Sequence, residues 1–550
     1  MTLLLDAFGF LSVVLRGFEV IAQSLTLGGI AFLLLLARPL AGGLTAGADI
    51  KDATLRLMGW SALALAFVTA LSIGLEGAIL ASTVGLSLGE TLGADFVLAG
   101  IAITLAALAI AALCTAKMGR PSGAALVALA AAILLAQTLT SHAAARLDDR
   151  VFLGGAELLH QAAAAVWLGG IPYLVLALAK CRDGASWRRV GKRFSQMAMA
   201  SVAVLVAAGL TMGIAYTGSW AAAYGTSYGI MLGGKIALLG FLLALGGMNF
   251  LLIDRLRGDP ARPMLRVRRF AEAEIGIAVA VLFAAASLTS LPPAGDLAPS
   301  DRASAHEIVE RLIPHWPRLT SPDHADLAIS QLQARLDAEA AASAQKPQAF
   351  IPGAGELPPR NAEDIAWSEY NHHWAGLLVL AIGILALAER SGHARWARNW
   401  PLLFLVLAGF LFLRSDPETW PLGDIGFFES LRDPEVLQHR IFVLLIAGFA
   451  VFEWRVRTGR DPSPAAALVF PLITAAGGVL LLAHSHALSN VKDQMLIEMT
   501  HLPLALLGVA AGWSRWLELR LDPPAARVAA WVWPVAFVLV GFLLLGYREA

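Results

Sequence analysis

The stretch "ELLHQAAAAVWLGGIPYLVLALAK", residues 157–180, decides the fold class. It opens with Glu157 and His160, continues without a charged side chain, and closes on Lys180. A helix needs about 20 apolar residues to cross the hydrocarbon core of a bilayer, so this run is long enough to span one. Lipid offers the backbone no hydrogen-bond partner, which makes a helix the expected form.

The same pattern recurs along the chain. With 57% hydrophobic and 15% charged residues and a mean hydropathy of +0.67, the sequence reads as an all-α, polytopic transmembrane helical bundle set in a lipid bilayer. Apolar windows fall near residues 9–36, 58–80, 95–115, 122–141, 157–179, 196–217, 229–252 and 270–291, then near 371–388, 399–413, 439–454, 466–485, 497–514 and 528–547. These are about 14 spans, eight and six. The expected division is an eight-helix unit (1–291), an extracytoplasmic helical insert (292–368) and a six-helix unit (369–550). The opening "MTLLLDAFGF" lacks a basic region and a small-residue cleavage site, so it reads as retained. A net charge of zero gives no reason to expect a nucleic-acid partner.

Loop charge sets the expected orientation. Loops after odd-numbered spans hold 26 basic residues, including "KCRDGASWRRVGKR" and "RLRGDPARPMLRVRR", against 13 in the other loops and the tail. Positive loops stay cytoplasmic. Both termini are therefore expected on the periplasmic side of a bacterial inner membrane. In the insert, "SPDHADLAISQLQARLDAEAAA" is expected to be a helix with Ser321 as N-cap and Pro322 at its first position. His306 and Glu307 in "AHEIVERLIPHW" read as plain helix surface.

The histidines played no part in that assignment. Eleven of the 12 fall at outward loops or outward span ends, and His393 alone lies inside. Preference for membrane interfaces in general would populate both faces, so the bias favours a functional cluster, and imidazole is a common ligand for copper, zinc, iron and nickel. A pattern recurs within the cluster. Ser141-His142-Ala143 is followed by Glu157 and His160; Ser485-His486-Ala487 is followed by Glu498 and His501. The E-x-x-H spacing puts carboxylate and imidazole on one helical face. The candidate metal ligands are His142, His160, His372, His373, His439, His484, His486 and His501. Adjacent His372 and His373 point about 100° apart on a helix, so one of the two is expected to face the bundle interior. Met495 and Met499, one turn apart, offer thioethers to a soft ion or fill an apolar gap. Glu19, Glu157, Lys235 and Glu498 are charges inside spans, where a bundle interior or water-filled cavity is the usual setting. Glu19 is expected to pair with Arg16 or Lys235, or to serve a cation path. Both cysteines, Cys114 and Cys181, fall at the cytoplasmic side, leaving nitrogen, oxygen and thioether donors outside.

Several blocks carry a family resemblance. "LTLGGIAFLLLLARPL", "TSHAAA", the stretch at 157–180, "RFSQMAMASVAVLVAAGLTMGIAYTGSW" and "YGTSYGIMLGGKIALLGFLLALGGMNF" resemble the CopD family of bacterial inner-membrane copper proteins, over residues 10–291. The resemblance implies an eight-helix unit for copper resistance or copper uptake from the periplasm, working with a small periplasmic copper-binding protein of the CopC type. It carries over to His142, His160, Tyr228, Gly229 and Lys235. Position 141 departs from the family, which more often reads G-H-A there. The six later spans exceed the usual family length and read as a diverged partial copy or a fused assembly or electron-transfer module.

The expected function is non-enzymatic handling of a copper ion, Cu(I) or Cu(II), at a histidine-rich outer face, with passage across the membrane. The alternatives are a b-type cytochrome or quinone-linked oxidoreductase with haem held by outer-end histidines, and a factor that delivers copper to a partner enzyme.

Overall fold

A computed structural model describes residues 2–84, 87–115, 122–146, 148–259, 264–327, 333–334, 336–338, 361–482 and 491–549. Its principal helices, numbered in chain order, are α1 (Thr2–Phe32), α2 (Gly47–Val84), α3 (Asp95–Thr115), α4 (Gly123–Leu139), α5 (Arg150–Trp167), α6 (Ile171–Lys180), α7 (Gly184–Thr217), α8 (Ser227–Asp254) and α9 (Leu265–Thr289). After the short α10 (Ala305–Leu312) come α11 (Ala362–Arg390), α12 (Leu403–Arg414), α13 (Pro434–Arg457), α14 (Val469–Leu482), α15 (Val491–Arg520) and α16 (Ala525–Leu545). Each of the 14 apolar windows holds helix: among the described residues 12 helical stretches are long and apolar enough to cross a membrane, and the shorter Gly123–Leu139 and Ala466–Leu482 fill the other two windows. The chain is an all-α polytopic bundle.

Lipid tails are as apolar as leucine, so association of such helices depends on close backbone approach at small residues. The seam between α11 and α16 shows it. A Cβ on Gly383 would stand 2.7 Å from the Val538 nitrogen, and one on Gly541 would stand 2.6 Å from the Leu380 Cα. Polar anchors add direction: the Tyr173 hydroxyl donates to the Leu25 carbonyl at 2.9 Å, tying α6 to α1.

The apolar core runs across the two membrane units. Val479, Leu482, Ala505 and Val509 from α14 and α15 belong to the same buried cluster as Leu238, Val281 and Phe283 from α8 and α9. Leu502 covers Gly234 and Trp513 covers Gly276. An ion pair between Arg520 and Glu272, 3.4 Å apart, closes the basic end of this seam.

Within the expected insert helix, residues 333–334 and 336–338 are helical, but its opening differs from expectation. Ser321 does not cap a helix: residues 321–323 are irregular, His324–Asp326 form a 3₁₀ turn, and the Ser321 hydroxyl donates to the Pro322 carbonyl at 2.7 Å. The cap lies earlier. Ser304 and Glu307 form a capping box at the start of α10. Glu307 also meets Lys492 of α15 at 2.5 Å. It is thus a strut to the membrane unit rather than plain helix surface, and the hydrogen bond from Lys492 holds its carboxyl down at about 2.

Candidate metal centre

The starts of α5, α8, α11 and α15 and the end of α16 meet at the histidine-rich end. On α11, His372 Nδ1 lies 2.9 Å from the Ser368 carbonyl one turn earlier. On α15, His501 Nδ1 lies 2.9 Å from the Ile497 carbonyl, also one turn earlier. A carbonyl can only accept, so both rings carry their proton on Nδ1 and keep the Nε2 lone pair that a metal would need. The ring centroids of His372 and His501 are 6.1 Å apart, edge to face.

Beside both lies Tyr547, just past the end of α16. Its ring stacks on His372 at 3.8 Å and meets His501 edge-on at 5.7 Å. Its hydroxyl donates to Glu549 Oε2 at 2.7 Å, and the Ser368 hydroxyl bonds the same oxygen. Burial pushes the Tyr547 phenol far above its ordinary value, which keeps it a neutral donor. This tail explains why both adjacent histidines of α11 meet protein: one turns toward α15, the other toward the tail backbone. His373 accepts from the Arg318 N–H at 2.7 Å on Nδ1 and donates from Nε2 to the Tyr547 carbonyl at 2.9 Å. Both of its nitrogens are occupied.

His501 also lines a small cavity with Glu498, Met231 and Ser287. About 20 Å³ of it is open to the centres of water-sized guests, room for about one. Glu498 is 8% exposed, accepts from the Gln494 amide at 3.0 Å and faces the Ser227 hydroxyl. Residues that carry oxygen, nitrogen and thioether donors therefore line one space. Met495, at 1% exposure, is packing within the core.

The other E-x-x-H copy sits on α5. His160 Nδ1 donates to the Leu205 carbonyl of α7 at 3.1 Å, again leaving Nε2 as the basic nitrogen. Glu157 accepts from Gln161 at 2.7 Å. Lys235 of α8 lies within electrostatic reach of both Glu157 and His160. Gln161 receives the Gln23 amide at 3.2 Å, which continues the polar side chains into α1. There Glu19 is buried, pairs with Arg16 at 2.8 Å and accepts from Thr69 at 3.0 Å. Of the partners weighed for Glu19, Arg16 is the one it takes.

The remaining histidines are placed apart from the His372–His501 pair. His142 stands edge-on to Tyr216 at 6.3 Å, with its Nε2 buried and unbonded. His439 Nδ1 meets Asp416 at 2.7 Å. His484 and His486 lie outside the described residues. Among the described residues no three His, Cys, Asp or Glu side chains converge as a ready metal cage. Tyr547, Glu549, Ser368 and Met231 were not anticipated. Tyr547 and Glu549 are joined to His372 only by long-range folding, Ser368 stands one turn before it on the same helix, and Met231 looks in sequence like any apolar residue of a span.

Residues 188–288 match the family model described as Copper resistance protein D, CopD. Over this segment the chain is similar to the CopD family. It holds Tyr228, Gly229, Met231 and Lys235, while His142 and His160 precede it. The chain is 35% identical over 175 residues to "Copper transport protein CutJ" of Bacillus subtilis (strain 168). That alignment spans 30% of this chain and 30% of the relative. No solved structure matches.

Proposed function

We propose that this chain is a copper-handling membrane protein that takes the ion at the histidine-rich end of the bundle and passes it inward. One observation carries the proposal: His501 lines the cavity it shares with Glu498 and Met231 while standing edge-on to His372. Imidazole and thioether donors suit Cu(I), and a buried carboxylate offsets part of the ion's charge in a low-dielectric site. The CopD-like segment and the printed name of the relative support copper as the cargo.

The E-x-x-H pair on α5 then serves as a second station. His160 supplies a nitrogen, and Glu157 with Lys235 sets the local charge. Placement in a bacterial inner membrane, with this end and both termini periplasmic, follows from the basic loops. A CopC-type protein is the partner expected to bring the ion.

Copper titration of the purified protein tests the site. His501→Ala and Met231→Leu are expected to remove one bound Cu(I), and unchanged stoichiometry in both would refute it. Copper uptake into sealed proteoliposomes separates passage from delivery: a protein that binds without uptake is a delivery factor.

A further inference from the structure

At the opposite, basic end the first turns of α7 carry Arg188, Arg189, Lys192 and Arg193, and Arg257 follows α8 in a 3₁₀ turn. All five line one open cleft of roughly 910 Å³, mouth included, with Leu40 and Leu256 on its apolar side. Two of the arginines build the wall. Arg193 donates to the Leu35 carbonyl at 2.7 Å and Arg189 to the Gly43 carbonyl at 2.5 Å. Leu35 lies in the π-helical turn Leu33–Ala37, where an irregular ladder leaves carbonyls available to side chains. Arg188, Lys192 and Arg257 are not used in this way.

Among the described residues no acidic side chain lines the cleft. Asp183 caps α7, accepting from the Ser186 N–H and hydroxyl at 2.7 Å each, and Asp254 and Asp259 flank Arg257 in sequence without lining the cleft. Orienting the chain needs basic residues on one side of the membrane, but not gathered around a shared hollow. Asp183 at the rim is within electrostatic reach of Arg189, but five like charges lining one cleft exceed that single acid and call for an anion. The cleft also sits where α7 passes from its basic turns to its apolar stretch, and basic clusters beside a membrane span attract anionic headgroups.

We propose that this cleft binds the phosphodiester headgroup of an anionic membrane lipid, with Arg188, Lys192 and Arg257 on the phosphate and Leu40 against the first carbons of the chains. The site is separate from the copper reading and stands or falls without it.

The test uses the full chain in nanodiscs of phosphatidylcholine doped with phosphatidylglycerol, with lipid retention read by native mass spectrometry. Wild type is expected to retain phosphatidylglycerol selectively. Arg188→Gln/Lys192→Gln/Arg257→Gln, which spares the two wall arginines, should lower that preference on the order of a hundredfold, about fivefold per charge. A control, Arg395→Gln/Arg398→Gln/Arg455→Gln, removes the same charge from exposed positions at the same end and should leave the preference intact. Should the triple variant not fold, Lys192→Gln and Arg257→Gln singly carry the test at about fivefold each. Equal retention of both lipids by wild type, or equal loss in the control, would overturn the proposal. So would inorganic phosphate binding tightly and displacing the lipid, since the site would then serve a free anion.

Discussion

Tyr547 offers a way to separate a ring from its hydroxyl at the junction of α11, α15 and the tail. Tyr547→Phe keeps the stack on His372 and removes the 2.7 Å bond to Glu549. A hydrogen bond to a carboxylate contributes about 1.5–3 kcal/mol, so a loss near 2 kcal/mol is expected. Because burial raises the phenol well above its usual range, the hydroxyl remains protonated and the loss should be the same from about pH 6 to 9. Tyr547→Ala also deletes a ring that is 2% exposed. Buried aromatic truncations cost about 3–5 kcal/mol, so alanine should be worse than phenylalanine by about 2 kcal/mol. Reversible unfolding in mixed micelles measures both. Copper titration then reads the site: groups that orient a ligating histidine are worth about 10–100-fold in metal affinity, so alanine should weaken copper at least tenfold while phenylalanine stays within about twofold. Equal destabilisation by the two variants would refute the hydrogen-bond argument. Wild-type copper affinity in the alanine variant would refute the link between tail and site.

Other expectations follow from single contacts. His373→Ala should cost about 2 kcal/mol through its two backbone bonds yet leave copper stoichiometry unchanged; a lost copper would show that His373 ligates after all. Glu307 has its carboxyl depressed from 4.5 to about 2, so its contact with Lys492 stabilises the fold above the unfolded value and is lost as pH falls through the folded one. Spin-label distances between α10 and α15 should therefore lengthen on acidification across that window, whereas Lys492→Met should already be loose at neutral pH. Gly383→Val should wedge α11 from α16 and lower stability by about 1–3 kcal/mol, and an unchanged thermal transition would contradict the close packing there.

The span windows were legible because hydropathy over about 20 residues is a local property. The E-x-x-H copies were legible for the same reason, their spacing being set by one turn of helix. What brings His372 to His501 is not local: the bridge is Tyr547 and Glu549, 175 and 177 residues beyond His372 in sequence. Those two look like an ordinary tail until the chain is folded. The insert was misread differently. Ser321-Pro322 is a good helix opening on propensity, yet residues 321–323 are irregular, whereas Ser304-x-x-Glu307 carries the reciprocal capping pattern and opens the separate helix α10. The π turn at Leu33–Ala37 lies in an unbroken apolar run and leaves no mark in composition.

Trp513 lying over Gly276, and Leu502 over Gly234, has a practical consequence for dissecting the protein. An N-terminal fragment ending in the insert would offer lipid two shallow glycine grooves in place of indole and leucine, and Glu272 would keep its own-helix arginines but lose Arg520. Such a fragment should be harder to purify than its sequence family promises. Its C-terminal counterpart, produced in the same cell, would carry the matching knobs and should copurify with it.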